Sequence, residues 1–201
     1  MITVVDYGMG NLGSIQNMLK RIGVATIVTA DLQAIADATK VILPGVGAFD
    51  NAMTRINSTG LCEVLERKAL VERVPVLGIC LGMQLLTRSS EEGELPGLGW
   101  IPATTRRFPN HPGLKVPHMG WNLAQPSTPS PLTQGFEEET RFYFVHSYFV
   151  AVDQPVNSIL KTTYGVEFDS AIQNGNIYGA QFHPEKSHRF GMRLLRNFAD
   201  L

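Results

Sequence analysis

The residues best equipped for chemistry are gathered at Gly78-Ile79-Cys80-Leu81-Gly82, a thiol with a glycine two positions away on each side. This glycine-x-nucleophile-x-glycine form belongs to a sharp strand-to-helix turn that lifts the central side chain clear of a sheet. Small flanking residues are needed because larger ones would collide at so tight a bend. Residues 76–79 read as the strand and 81–87 as the helix, so Cys80 stands where free backbone N–H groups and the helix dipole favour a thiolate. The same N–H groups can help hold a developing oxyanion. Cys62, inside Leu61-Cys62-Glu63-Val64-Leu65, has a helical surrounding with no glycine or base nearby and reads as core. No structural disulfide is expected between two cysteines in such different contexts.

A thiol nucleophile needs a histidine within hydrogen-bond reach and a third group that fixes the histidine's tautomer. Of the five histidines, His111 and His118 fall in a Pro-rich middle, His146 in a strand-like run, and His188 near the start of the last helix. His183 ends an apolar strand that begins near Tyr178 and is followed by Pro184 and Glu185. The chain therefore leaves the strand carrying an imidazole and a carboxylate two residues apart, with Pro184 restricting the backbone between them. Cys80, His183 and Glu185 form the expected catalytic triad.

These groups must be positioned by an α/β framework. Residues 2–5, 24–29, 41–43 and 76–79 read as short strands, interleaved with helical patterns over 12–21, 50–56, 61–71 and 81–87. Such alternation predicts a mostly parallel central sheet flanked by helices on both faces. Residues 96–135 are rich in Pro, Gly and polar groups. After them, 141–150, 158–163, 167–173 and 176–182 read as a smaller antiparallel strand section, with Asn174-Gly175 as a type I′ hairpin turn, and 188–199 as a closing helix.

The 201 residues suit one domain spanning 1–201. With 44% hydrophobic and 17% charged residues the chain has the composition of a folded globular protein. A net charge of −1 argues against a nucleic-acid binder. No apolar stretch approaches the roughly 20 residues of a membrane span. An N-terminus with no basic region and an acid at Asp6 does not fit a secretory signal, so a cytoplasmic setting is expected. Nothing in the pattern calls for a cofactor or a metal ion.

Gly78 to Gln84 together with Gln181-Phe182-His183-Pro184-Glu185 resembles the class I (triad) glutamine amidotransferases. Three further segments, Asp6 to Asn11, Pro117 to Asn122 and Tyr143 to Tyr148, are similar to the glutaminase subunits of imidazole glycerol phosphate synthases, and the resemblance covers residues 6–187. It implies hydrolysis of glutamine to glutamate and ammonia through a thioester on Cys80. It also implies a heterodimer with a (β/α)₈ cyclase subunit, which takes the ammonia through a tunnel to make imidazole glycerol phosphate and an aminoimidazole carboxamide ribotide in histidine biosynthesis. Carried onto this sequence, Pro44, Gly45, Val46 and Gly47 would form the oxyanion loop, and Gln84 and Glu92 would contact the bound glutamine. Gln84 lies one helical turn beyond Cys80, on the same side. Ser147 and Tyr148 would line the pocket through backbone groups, with His146 in its wall, and Asn11, Trp121 and Lys186 would face the cyclase.

Three other readings compete. Gly8-Met9-Gly10-Asn11-Leu12-Gly13 is a literal G-x-G-x-x-G between a strand and a helix, with Asp31 where a ribose-binding acid would fall, which suits a dinucleotide site. A cysteine peptidase and an inactive regulatory protein of the same fold are the others. Gln84 and the glutamine-pocket segment count against the peptidase, and the intact triad against the inactive form.

Overall fold

The runs at Ile2–Val5, Val41–Gly45 and Val76–Cys80 are buried at every position, the pattern of strands covered on both faces rather than on one. A computed structural model describing residues 1–201 orders the elements as β1 (Ile2–Val5), α1 (Leu12–Arg21), β2 (Thr26–Thr29), α2 (Leu32–Ala36), β3 (Val41–Gly45), α3 (Phe49–Ser58), α4 (Leu61–Glu66, running on into a π-helical turn over Arg67–Val71), β4 (Val76–Cys80) and α5 (Leu81–Leu85). They are followed by β5 (Ala103–Arg107), β6 (His118–Leu123), β7 (Gln125–Pro126), β8 (Arg141–His146), β9 (Tyr148–Val152), β10 (Ser158–Tyr164), β11 (Val166–Asn174), β12 (Ile177–Ala180) and α6 (His188–Asp200).

The main sheet runs β2-β1-β3-β4-β12-β11-β10-β7, with β9 on β11 and β5 on β9. Pairings from β2 through to β12 are parallel, and those beyond β12 antiparallel, so β12 is the seam between the two halves. Because side chains alternate along a strand, Val5, Val41 and Leu43 enter one apolar cluster, and Val4, Ile42, Leu77 and Ile79 the other. These two cores lie on opposite faces of the sheet. The mostly parallel sheet with a smaller antiparallel section matches the fold class read from the sequence.

Several local expectations change. The stretch 141–150 is two strands broken at Ser147: β8 pairs with β6 in a separate two-stranded sheet, with His118 opposite His146, and β9 joins the main sheet. One apolar run thus serves two sheets, a division that periodicity alone does not reveal. Phe142 of β8 stacks on Phe182 with ring centroids 3.7 Å apart, tying the small sheet to the residues just before His183. The hairpin turn falls on Gly175-Asn176, since Asn174 pairs with Ile177. Only Gly175 has a positive φ, +59°, which is the type II′ pattern and not I′. Residues 96–135, rich in Pro, Gly and polar groups, contain β5, β6 and β7, the last only two residues long. No helix is long and apolar enough to cross a membrane.

Candidate active site

Cys80 closes β4 and opens α5 with φ 55° and ψ −110°, a positive φ that few residues other than glycine adopt. Strain of this kind, about 1–3 kcal/mol, persists only where the surroundings enforce it. Here they do. A Cβ on Gly78 would lie 2.5 Å from Gly82 O, and a Cβ on Gly82 would lie 1.9 Å from Leu43 O. Both glycines are therefore required by backbone that is already in place, as their spacing around the thiol predicts. The helix that follows is five residues long, shorter than the expected 81–87.

His183 lies three residues beyond β12, and its backbone N–H is anchored on Tyr143 O at 2.9 Å. The short 3₁₀ turn Pro184–Lys186 folds Glu185 back, so that His183 Nδ1 donates to Glu185 Oε1 at 2.9 Å. With Nδ1 occupied, the other ring nitrogen is left for Cys80, which lines the same cavity. Burial by itself lowers the affinity of His183 for a proton. The influence of Cys80 and the hydrogen bond and charge of Glu185 overcome that and hold it up at about 10, which favours the imidazolium. Glu185 Oε2 is buried without a partner, so the carboxylate has no other hydrogen-bonded role than to serve His183. Ser187 locks the turn: its hydroxyl donates to His183 O at 2.6 Å and accepts from Tyr143 N–H at 3.0 Å.

A cavity of about 370 Å³ opens above the sulfur. Its lining brings together Val46, Gly47, Cys80, Gln84, Glu92, Ser147, Tyr148, His183 and Lys186 from the predicted set, with His146 in its wall. Glu185 stands behind His183, outside the lining. Pro44 and Gly45 do not form a loop at all. They continue β3, with Pro44 opposite Ile79 and Gly45 opposite Cys80, and Tyr7 donates its hydroxyl to Pro44 O at 2.6 Å. Only Val46 and Gly47 leave the ladder. Neither of their N–H groups donates to a backbone carbonyl, and Gly47 has a φ of +108°. Such unpaired donors beside a nucleophile are what an oxyanion site needs.

The pocket's polar groups are already oriented. Glu92 Oε2 accepts Phe49 N–H at 3.0 Å, and burial followed by the nearby Asp50 charge raises its carboxyl above the ordinary range despite that bond. Asp50 takes the N–H groups of Glu94 and Leu95 and so fixes the loop that carries Glu92. His146 Nδ1 donates to Tyr148 O at 2.7 Å, which leaves its Nε2 to accept from His118 Nδ1 at 3.0 Å. Burial keeps both rings well below the usual histidine range, His118 at about 4 and His146 at about 3, so both are neutral. His146 is thereby confined to the wall rather than available as a rival base. Asn11 and Trp121 lie outside the cavity lining. Trp121 is exposed and stacks on His188, while Lys186 at the rim stands 5.8 Å from the centre of the Tyr143 ring.

The sequence reading did not single out Gln181, Ser187, Tyr7 or Asp50. Gln181 carried a legible signal: a polar residue inside the apolar run ending at Phe182, two positions before His183 and so on the same face of an extended chain. Tyr7 and Asp50 act through contacts between distant segments, and Ser187 joins its neighbour His183 to the distant Tyr143. The acid at Asp31, considered for a ribose, is the N-cap of α2, accepting Ala34 N–H at 2.7 Å.

Residues 3–201 match the glutamine amidotransferase class-I family. The chain is 52% identical over 204 residues, covering 100% of both chains, to the imidazole glycerol phosphate synthase subunit HisH of Bdellovibrio bacteriovorus. It is 53% identical over 198 residues, covering 98% of each, to the subunit HisH 2 of Methanococcus maripaludis. Among solved structures, PurLQS from Thermotoga maritima superimposes with a TM-score of 0.71 at 20% identity, over 99% of this chain and 97% of that one. A glutamine amidotransferase from the same organism gives 0.67 at 16% identity, over 99% and 82%. The chain belongs to the class-I glutamine amidotransferase family, in the branch of the imidazole glycerol phosphate synthase subunits HisH.

Proposed function

We propose that this chain is the glutaminase subunit of an imidazole glycerol phosphate synthase and that Cys80, His183 and Glu185 perform its chemistry. Sγ attacks the side-chain amide carbon of glutamine as His183 holds the thiol proton. When the tetrahedral adduct collapses, the carbon–nitrogen bond breaks and the proton leaves on ammonia. A water then attacks the γ-glutamyl thioester, its proton passes through His183 back to sulfur, and glutamate departs. Glu185 keeps the imidazole oriented and offsets its charge throughout. The observation that carries this reading is that Cys80 and His183 line one cavity, with Glu185 behind His183 and bonded to its Nδ1 at 2.9 Å.

Val46 and Gly47 supply the oxyanion N–H groups, while Glu92 faces the α-ammonium of the substrate and Gln84, Ser147 and Tyr148 frame the rest of it. The ammonia passes to a cyclase subunit built as a (β/α)₈ barrel, paired one to one with this single glutamine amidotransferase domain, in histidine biosynthesis. Asn11, Trp121 and Lys186 face that partner, in keeping with the exposed Trp121 and the position of Lys186 at the cavity rim. The setting is the cytoplasm, where free thiols stay reduced. A dinucleotide site at Gly8 to Gly13 has less support, since Asp31 is engaged as a cap and Asp6 places a carboxylate against Gly8 N–H.

Ammonia release from glutamine in the presence of the cyclase and its nucleotide ligand tests the reading. Release should survive Cys62→Ala and vanish in Cys80→Ala; loss in the first or persistence in the second would overturn it. The conformational freedom of Gly47 lets the peptide N–H groups of the Val46-Gly47 segment turn towards the substrate only when the liganded partner is bound, which predicts low turnover by the chain alone; equal turnover with and without the liganded partner would rule that control out.

A further inference from the structure

Gln181 has no exposed surface, and its side-chain amide lies in a row of hydrogen bonds that ends on the nucleophile. The row starts at Tyr148 O, which can only accept and already receives His146 Nδ1 at 2.7 Å. Gln84 must therefore turn its NH₂ group towards that carbonyl, which it meets at 3.2 Å. The same nitrogen has a second proton, and it reaches Gln181 Oε1 at 3.1 Å. Gln181 Nε2 is left facing Cys80 Sγ at 3.8 Å. Either amide turned the other way would set two donors or two acceptors face to face in a buried site, at a cost that such sites rarely tolerate. One backbone carbonyl thus determines that an N–H, and not a carbonyl oxygen, is presented to the sulfur.

We propose that Gln181 is a hydrogen-bond donor to the Cys80 sulfur, which holds the anionic nucleophile in its attacking position, with Gln84 and Tyr148 O as the groups that enforce its polarity. The sulfur has a different partner when neutral: its own proton can go to Val145 O at 3.9 Å. Losing that proton leaves the Val145 carbonyl without a donor while Gln181 and His183 gain an acceptor, so Gln181 acts on one of the two states of the thiol. A donor to a charged group in a dry site is stronger than one between neutral groups. Gln84 then has two roles at once, lining the substrate cavity and fixing the amide behind it.

The proposal rests on Cys80 being the nucleophile, and its test keeps the two separable. Purified full-length chain is treated with iodoacetamide across pH 6 to 10, and modification of Cys80 and Cys62 is followed separately by mass spectrometry. Gln181→Met, similar in length and without a donor, should slow Cys80 modification near neutral pH by about tenfold and displace its pH profile to higher pH. Cys62 provides the internal reference and should be unchanged. Gln84→Met, which removes the tether but leaves Gln181, should give a smaller slowing of the same sign. Should Gln181→Met disrupt the fold, detected as faster Cys62 modification, Gln84→Met alone decides. A Cys80 profile like that of the wild type in whichever variant remains folded would overturn the proposal. Failure of the nucleophile assignment itself would appear elsewhere, as glutamine-dependent ammonia release that persists in Cys80→Ala.

Discussion

Replacing Glu185 by Gln removes a charge while leaving the shape of the site intact. The glutamine side-chain oxygen can still accept His183 Nδ1–H at the 2.9 Å now spanned by the carboxylate, so the ring keeps its tautomer and direction. What disappears is one of the two negative groups that sustain the imidazolium. The pair is dry, with side chains 5% and 1% exposed, so solvent does not screen the loss. A hydrogen bond to a charged group contributes about 1.5–3 kcal/mol, which translates into roughly a ten- to hundredfold fall in kcat for the glutaminase step. The assay is ammonia release at saturating glutamine with the cyclase and its ligand present, alongside urea unfolding of the same preparation. KM should change little, because Glu185 stands behind His183 and outside the cavity lining. A variant with kcat within twofold of wild type and unaltered stability would refute the view that Glu185 acts through its charge.

Three further outcomes follow from the same geometry. His183 is held at about 10 in the folded chain against an ordinary 6.5, so the stability it confers is full below 6.5 and is lost as the pH climbs towards 10. Urea midpoints should fall over that window, and less steeply in Cys80→Ala, where one source of the elevation is gone; parallel slopes would contradict the pairing. His118 and His146 run the other way, since burial lowers both, and their contribution is present above 6.5 and lost as pH drops towards about 4 and 3. Acid unfolding should accordingly be milder in His118→Gln. Gly82→Ala forces a Cβ to within 1.9 Å of Leu43 O, so it should lose about 3 kcal/mol or more by urea denaturation or fail to accumulate as folded protein; a wild-type midpoint would mean that the turn has slack.

What could be read from the sequence were the features set by short-range chemistry. Cys80 is bracketed by glycines because backbone is close on both sides, and His183 and Glu185 meet because a proline turn joins them. The parallel strands stood out as apolar runs, since both of their faces are buried. What escaped depends on partners far along the chain. Nothing near Ser147 announces that the residues before it pair with β6 and those after it with β11 and β5, and β5, β6 and β7 lie in a stretch whose prolines, glycines and polar residues mask a strand pattern. Pro44-Gly45 carries a loop's composition, yet its carbonyl is held by Tyr7, 37 residues away. The Gly8 to Gly13 pattern supported a rival reading for a related reason, because a glycine motif reports backbone freedom without saying what approaches it; at Gly8 it is the Arg55 side chain, 2.2 Å from where a Cβ would be.

The place of β12 as the seam of the sheet also bears on how the chain folds. β4 can pair with β3 early, but its other edge stays open until β12 arrives, and the Cys80–Gln181 contact across that gap joins residues 101 apart. Closing a loop of that size costs about 4 kcal/mol of chain entropy before any of the new contacts form. Until then Val76 to Cys80 is an apolar strand with a free edge, the kind of segment that associates with its own copies. Refolding yield should therefore fall steeply with protein concentration, while the reactive thiol, lacking His183 and Gln181 during the same interval, has yet to acquire the neighbours that would make it a nucleophile.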